Sequence, residues 1–292
     1  MPPTDKLFKI LFSARVPGTA SLSHKVTADE GRKYHDAAAA LVAESANLVY
    51  GWNLDREDIP AGSIAYHPVF GSIAYGYSWW KASTMELMDN LKAAEASDAI
   101  AAHIIHMDSH GGEAFGLHEA FELIRSLKKP VYAVVESMAA SAGYYLVAGA
   151  DKIFTTSKFS QVGSIGVMMT YIDDEEWMKS QGFKEIELYS NYSPLKNQAW
   201  RDLHDGKTDA FIEKYIDPLA KCFIEDVSSS RKKIPEDSDA LKGEMYLAEE
   251  AEQIGLIDGI KSFDDVLDLL VKKTAPAAAA APPSHDINKL NF

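Results

Sequence analysis

The chain has 292 residues, 47% of them hydrophobic and 25% charged, a globular composition with room for one large domain or two small ones. Its formal net charge of −14 argues against a nucleic-acid-binding surface, which needs clustered lysine and arginine. The single cysteine, Cys222, rules out an intrachain disulfide and, on sequence alone, a cysteine-based metal site. It suits a reducing compartment and lies in a helical pattern, where core filler is expected.

Taken in chain order, "KLFKILFS" near the start is too brief for a secretory signal, and no run approaches ~18 uninterrupted apolar residues, so no membrane span is expected. Residues 1–62 read as a partly helical N-terminal extension, with "TADEGRKYHDAAAALVAESANLVY" helix-friendly and Pro60 and Gly62 closing it. From 63 the pattern alternates. "SIAYHPVFGSIAYG" predicts a strand, and "STMELMDNLKAAEAS" an amphipathic helix capped by Ser83 or Thr84. "AIAAHIIHMDS" is strand-like, "EAFGLHEAFELIRSLKK" helical and "PVYAVVES" strand-like, with a helix opening at Ser141. Strands follow in "DKIFTTS", "GVMMTYI" and "KEIELYS", with a helix closed by Gly182 between the last two. A long helix over 208–233 is interrupted at Pro218. Strands alternating with helices predict an α/β domain with largely parallel sheets over 63–272. Residues 273–292 hold an Ala/Pro tract that reads as a linker and tail, either disordered or a docking peptide.

Three stretches point to chemistry. In "HMDSHGGEAFG" a strand end runs into Gly111 and Gly112 and then a helix, so backbone N–H groups can face a bound carbonyl oxygen. In "SMAASAGYY" Ser141 is flanked by Ala139, Ala140, Ala142 and Gly143 at a strand-to-helix turn. Small residues there give either tight packing or room for a substrate beside a nucleophile. The N–H of Ala142 falls in the first helical turn, near the same oxygen position, the layout acyl transfer demands. In "FSQVGSIGV" the Ser164 hydroxyl is placed to orient a base.

This ordered set resembles the signal peptide peptidase A (protease IV) family and its phage head-maturation relatives. The family pattern of D-S-P-G-G, A-S-x-G-Y and G-S-I-G-V appears as "DSHGG", "ASAGY" and "GSIGV", followed by "GEMYLAEEAEQIGLIDGI". His110 stands where the family usually has proline. The resemblance, over about 63–270, implies a ClpP/crotonase-like fold of stacked ββα units. It implies Ser141 as nucleophile, Gly112 and Ala142 as oxyanion donors, Gly111 and Ser164 in support, and no cofactor or metal.

A serine needs a base. No histidine occurs between Ser141 and His204, and His103 and His106 fall on opposite faces of one strand, as packing or surface residues. The resemblance implies a lysine arriving just past a later strand; Lys184 and Lys196 are in range, and Lys196 is the better placed. A free lysine keeps its proton to about pH 10, so such a base must be desolvated or set beside another cation.

The expected function is a serine endopeptidase with a Ser141–Lys196 dyad. A phage prohead protease in the host cytoplasm or prohead comes first, a soluble bacterial signal-peptide-peptidase-like enzyme second. An inactive scaffold and a crotonase-like acyl-CoA enzyme compete. Expected partners are a peptide or protein substrate and a cyclic homo-oligomer, with Tyr75, Tyr77, Trp79 and Trp80 serving core, interface or groove.

Overall fold

Apolar, β-branched runs such as "IAAHIIHM" and "VYAVV" suit strands buried on both faces, and that is where they lie. The computed structural model describes residues 11–13, 48–51, 54, 59–78 and 81–275. Strands β1 (Leu11–Ser13), β2 (Leu48–Tyr50), β3 (Ser63–Ala74) and β4 (Ala82–Ser83) precede helix α1 (Thr84–Ala96). Then come β5 (Ile100–Glu113), α2 (Leu117–Ser126), β6 (Val131–Ala140), α3 (Ala142–Ala148), β7 (Lys152–Thr155) and β8 (Gln161–Gly163). Helices α4 (Glu175–Ser180), α5 (Gln198–His204), α6 (Asp209–Phe211) and α7 (Asp217–Ser230) follow. The chain closes with β9 (Met245–Leu247), α8 (Ala248–Ile254), β10 (Gly259–Ile260) and α9 (Phe263–Thr274).

The sheet order β10-β7-β6-β5-β3-β2 is parallel throughout, which is the α/β, largely parallel architecture the alternation predicts. One face packs Ile105, Met107, Val135 and Ile153 against helices α1, α2, α3 and α7. The other packs Tyr66, Ile104 and Val134 against Phe263, Val266 and Leu270 of α9. Ser83 caps α1, its Oγ accepting from the Glu86 N–H at 3.1 Å. At the far end Lys129 Nζ donates to the carbonyls of Ala94, Glu95 and Ser97, completing the orphan acceptors of that helix.

The "GLID" run is a fastening. Asp258 accepts from the Ile153 N–H, from Lys152 Nζ and from Arg231 Nη1, each at 2.9 Å, while Arg231 also donates to the Gly255 carbonyl. Burial pushes the Asp258 carboxyl up, but the Ile153 N–H and the two cations outweigh it and hold it below the ordinary range.

Several expectations are corrected. Leu48–Tyr50, read as helix, is a strand paired with Ile64–Tyr66, so the sheet takes in residues ahead of 62. Residues 166–172 form no strand; β8 lies just before them, held between β6 and β9. Residues 184–190 form none either, pairing with no strand among the described residues, and Ile186 and Leu188 are exposed. The helix over 208–233 carries a π-helical turn at Ile212–Ile216 that admits Pro218 in the first turn of α7. Trp79, Trp80, most of the N-terminal extension and residues 276–292 lie outside the described residues.

Candidate active site

The site is built where β5 and β6 part company. The two strands pair in register from His103↔Val131 to Met107↔Val135, slip, and meet last at Ser109↔Ala139. Beyond that point β6 leaves the sheet for α3, while β5 continues through Gly111 and Gly112 to Glu113. The strand therefore runs on through both glycines instead of ending at them, and the helix begins only after Gly116, whose φ is 76°. Asp108 holds the bulge, one carboxylate oxygen accepting from the Ser137 hydroxyl and from the Met138 N–H.

Ser141 is the hinge between β6 and α3. Its φ of 56° and ψ of −118° lie in a region that disfavours side chains. Its N–H donates to the Gly163 carbonyl at 2.9 Å and its carbonyl accepts from the Tyr145 N–H at 2.9 Å, so β8 and the first helical turn pin the bend. The side chain is 1% exposed, and its Oγ is buried without a hydrogen-bond partner among the described residues. A strained, buried and unpaired hydroxyl at a strand-to-helix turn has the form of a nucleophile elbow. The flanking small residues are required: a Cβ on Gly143 would meet the Ser109 carbonyl oxygen at 3.1 Å, so α3 starts directly against the end of β5.

Gly111 and Gly112 have separate roles. The Ser109 hydroxyl donates to the Gly71 carbonyl at 2.6 Å and accepts from the Gly111 N–H at 3.1 Å, so that N–H is already engaged. Gly112 lies opposite Ile73 of β3. Ala142 is fully buried at the start of α3. Ser164, half-buried with φ 55°, is fixed through its N–H to the Glu244 carbonyl at 2.9 Å. Ser109 and Asp108 went unassigned from sequence, although both belong to the "DSHGG" stretch.

The edge of β5 that β6 vacates is occupied. β1 runs antiparallel along it, with Leu11 opposite Glu113, Phe12 opposite Gly112 and Ser13 opposite Gly111. A short extended segment thus lies on the strand next to the Ser141 elbow.

The two candidate lysines lie at the surface. Lys196 and Lys184 are exposed, and the side chain of neither has a hydrogen-bond or ion-pair partner among the described residues. Lys196 follows a turn in which its N–H donates to the Ser193 carbonyl. The stretch around it is apolar and uncovered, with Leu188 90%, Tyr192 97% and Leu195 78% exposed.

A glycine-lined strand end together with a serine at a strained strand-to-helix turn is an arrangement that serine hydrolases use. The chain belongs to peptidase family S49, whose family model matches residues 124–275. The Clp protease family model matches residues 71–158, the part that spans β3 to β7 and carries Gly112 and Ser141. The chain is 28% identical over 189 residues to Protease 4 of Haemophilus influenzae, covering 61% of this chain and 29% of that protein. It is 24% identical over 189 residues to capsid assembly protease C of Escherichia phage lambda, covering 63% of this chain and 42% of that protein. With head-tail preconnector protein GP5 of Enterobacteria phage P21 it shares 23% identity over 271 residues, 90% of this chain and 53% of that protein. The chain thus spans about half the length of these relatives or less. Among the described residues no helix is long and apolar enough to cross a membrane.

Proposed function

We propose that the protein is a serine endopeptidase that hydrolyses peptide bonds through an acyl-enzyme on Ser141. The observation that carries this reading is the Ser141 elbow itself: a φ of 56°, a buried side chain and an Oγ without a partner among the described residues. Backbone strain and an unpaired buried hydroxyl both disfavour the folded state, and they persist where the reaction uses them. The substrate is an extended peptide added antiparallel to Gly111–Glu113, the edge on which β1 lies. In that position the scissile carbonyl carbon meets Ser141 Oγ, and its oxygen meets the N–H groups of Gly112 and Ala142. The serine proton passes to a base as the C–O bond forms. The base returns it to the leaving amine, and water then releases the acyl group.

We assign the base to Lys196. In the single chain it is exposed, and the apolar stretch beside it is uncovered. Burial of that stretch in a cyclic homo-oligomer supplies the desolvation a neutral lysine requires. The similarity to the phage lambda and phage P21 proteins favours a prohead protease acting on capsid proteins during head maturation over a bacterial housekeeping peptidase.

A fluorophosphonate probe tests the reading. Labelling of the wild type that disappears in Ser141→Ala is the expected result. An unlabelled wild type with peptide-hydrolysing activity places the nucleophile elsewhere, and an unlabelled, inactive wild type makes the protein a scaffold of the same fold.

A further inference from the structure

On the helical side of the sheet, away from the strand edge, three side chains from distant parts of the sequence converge. His118 lies at the start of α2; Cys222 and Asp226 lie one turn apart on α7. His118 Nδ1 is 2.8 Å from Asp226 Oδ2 and 3.6 Å from Cys222 Sγ, and Sγ is 3.8 Å from the same carboxylate oxygen. Tyr145 of α3 closes the group, its hydroxyl donating to Asp226 Oδ2 at 2.5 Å and lying 3.5 Å from Sγ. Its ring is stacked on Phe223 at 4.2 Å, which fixes the hydroxyl's position.

The pattern is not that of a thiol nucleophile with a relay. A nucleophile and its orienting carboxylate take opposite ring nitrogens of the histidine. Here both face Nδ1, so nitrogen, sulfur and oxygen surround one point. Around a tetrahedral ion with Zn–S of about 2.3 Å and Zn–N and Zn–O of about 2.0–2.1 Å, neighbouring ligand atoms stand about 3.5 Å apart for the pairs with sulfur and about 3.3 Å for nitrogen and oxygen. The two sulfur pairs have that spacing already. Only the His118–Asp226 pair has to open, by roughly half an ångström, and its present separation is that of the hydrogen bond whose proton a metal replaces.

We propose that His118, Cys222 and Asp226 form a binding site for a divalent transition metal of the zinc class, with Tyr145 positioning the carboxylate. The mixed thiolate, imidazole and carboxylate donors select such an ion over magnesium or calcium. His118 is half exposed, which leaves an entry path and a fourth position for water. The ion would tie α7 to α2 and, through Tyr145, to α3, the helix that begins at Ser141. It touches no reacting atom, so its role is to hold the helical layer together.

Cobalt titration of the full-length, untagged protein after chelator dialysis tests the site independently of hydrolysis. One equivalent of Co²⁺ should give a near-ultraviolet thiolate-to-cobalt charge-transfer band together with the visible bands of a tetrahedral ion. Zn²⁺ should displace it and raise Tm. Cys222→Ser should lose the charge-transfer band, and His118→Ala should lose the tetrahedral visible spectrum at one equivalent; Tyr145→Phe should weaken binding about tenfold or more. His204→Ala, in a separate, fully exposed group with Asp173 and Glu175, should leave the spectrum unchanged. Absence of a charge-transfer band in the wild type, or its survival in Cys222→Ser, would overturn the proposal. So would a tetrahedral spectrum that His118→Ala leaves intact.

Discussion

A Cβ on Gly112 would lie 1.9 Å from the carbonyl oxygen of Ile73 and 2.6 Å from its carbonyl carbon. The glycine is thus demanded by the neighbouring strand as well as by any oxyanion. Gly112→Ala is expected to push β3 and β5 apart, lowering Tm as well as turnover, whereas loss of one oxyanion donor alone reduces kcat about 10²–10³-fold with Tm unchanged. Thermal melts run beside peptide hydrolysis separate the two; an unchanged Tm would show that Ile73 gives way easily.

At Ser141 the backbone conformation and the chemistry can be separated by two substitutions. Ser141→Ala removes the hydroxyl and keeps the strain; Ser141→Gly removes both. Each is expected to lower kcat about 10⁴-fold or more. Glycine should also be more stable than alanine by about 1 kcal/mol, since relief of the positive φ outweighs the greater freedom of the unfolded glycine. Denaturant midpoints of the two variants give the comparison, and equal stabilities would mean that the elbow stores no strain.

If Lys196 is the base, it works only when neutral, so the acid limb of kcat/KM reports its ionisation in the free enzyme. Lys196→Ala should be as damaging as Ser141→Ala, with the double variant little worse, because the pair acts as a unit. Arginine should not rescue, since it stays protonated at any working pH. Lys184→Ala should remain active; if it is the inactive variant instead, the dyad belongs to Lys184.

A second titrating unit is buried under α1. Glu95 Oε2 lies 3.3 Å from His103 Nε2, and His103 Nδ1 lies 3.1 Å from His67 Nε2, so a neutral chain runs with each imidazole donating towards the carboxylate. His67 Nδ1, at the far end, has no partner among the described residues. Burial, and for His67 also His103, holds both histidines below their ordinary range, with Glu95 opposing this in part at His103. Below about pH 6.5 the unfolded chain therefore takes up protons that the folded one refuses. The contribution of this pair to stability is expected to be level above that pH and to fall on acidification, so His103→Gln should flatten the acid slope relative to the wild type. Urea midpoints between pH 7.5 and 5.5 provide the measurement.

Local chemistry was legible where one stretch carries it all. The Ser83 cap, the alternation of β5 and β6, and the small residues around Ser141 read directly from neighbouring letters. Strand propensity misleads at 166–172 and 184–190 because a β-rich pattern becomes a strand only where it pairs, and those residues join no strand among the described residues. Networks such as Glu95–His103–His67 were illegible for a different reason: α1, β5 and β3 bring them together, and no short spacing records it. The same holds for Ser109, whose hydroxyl gains a role only where the bulge sets it between the Gly71 carbonyl and the Gly111 N–H.

If the strand edge occupied by β1 receives the substrate as proposed, the enzyme is its own competitor. Because Leu11–Ser13 belongs to the same chain, its encounter with Gly111–Glu113 is intramolecular, and its local concentration is on the order of millimolar. A dilute protein presenting an unstructured segment is then outcompeted, however well its sequence fits. A protein packed beside the enzyme in a closed shell reaches comparable concentrations and gains access. On the proposed role, the choice of substrate is made by crowding: confinement, rather than side-chain pockets alone, decides what is cut and when.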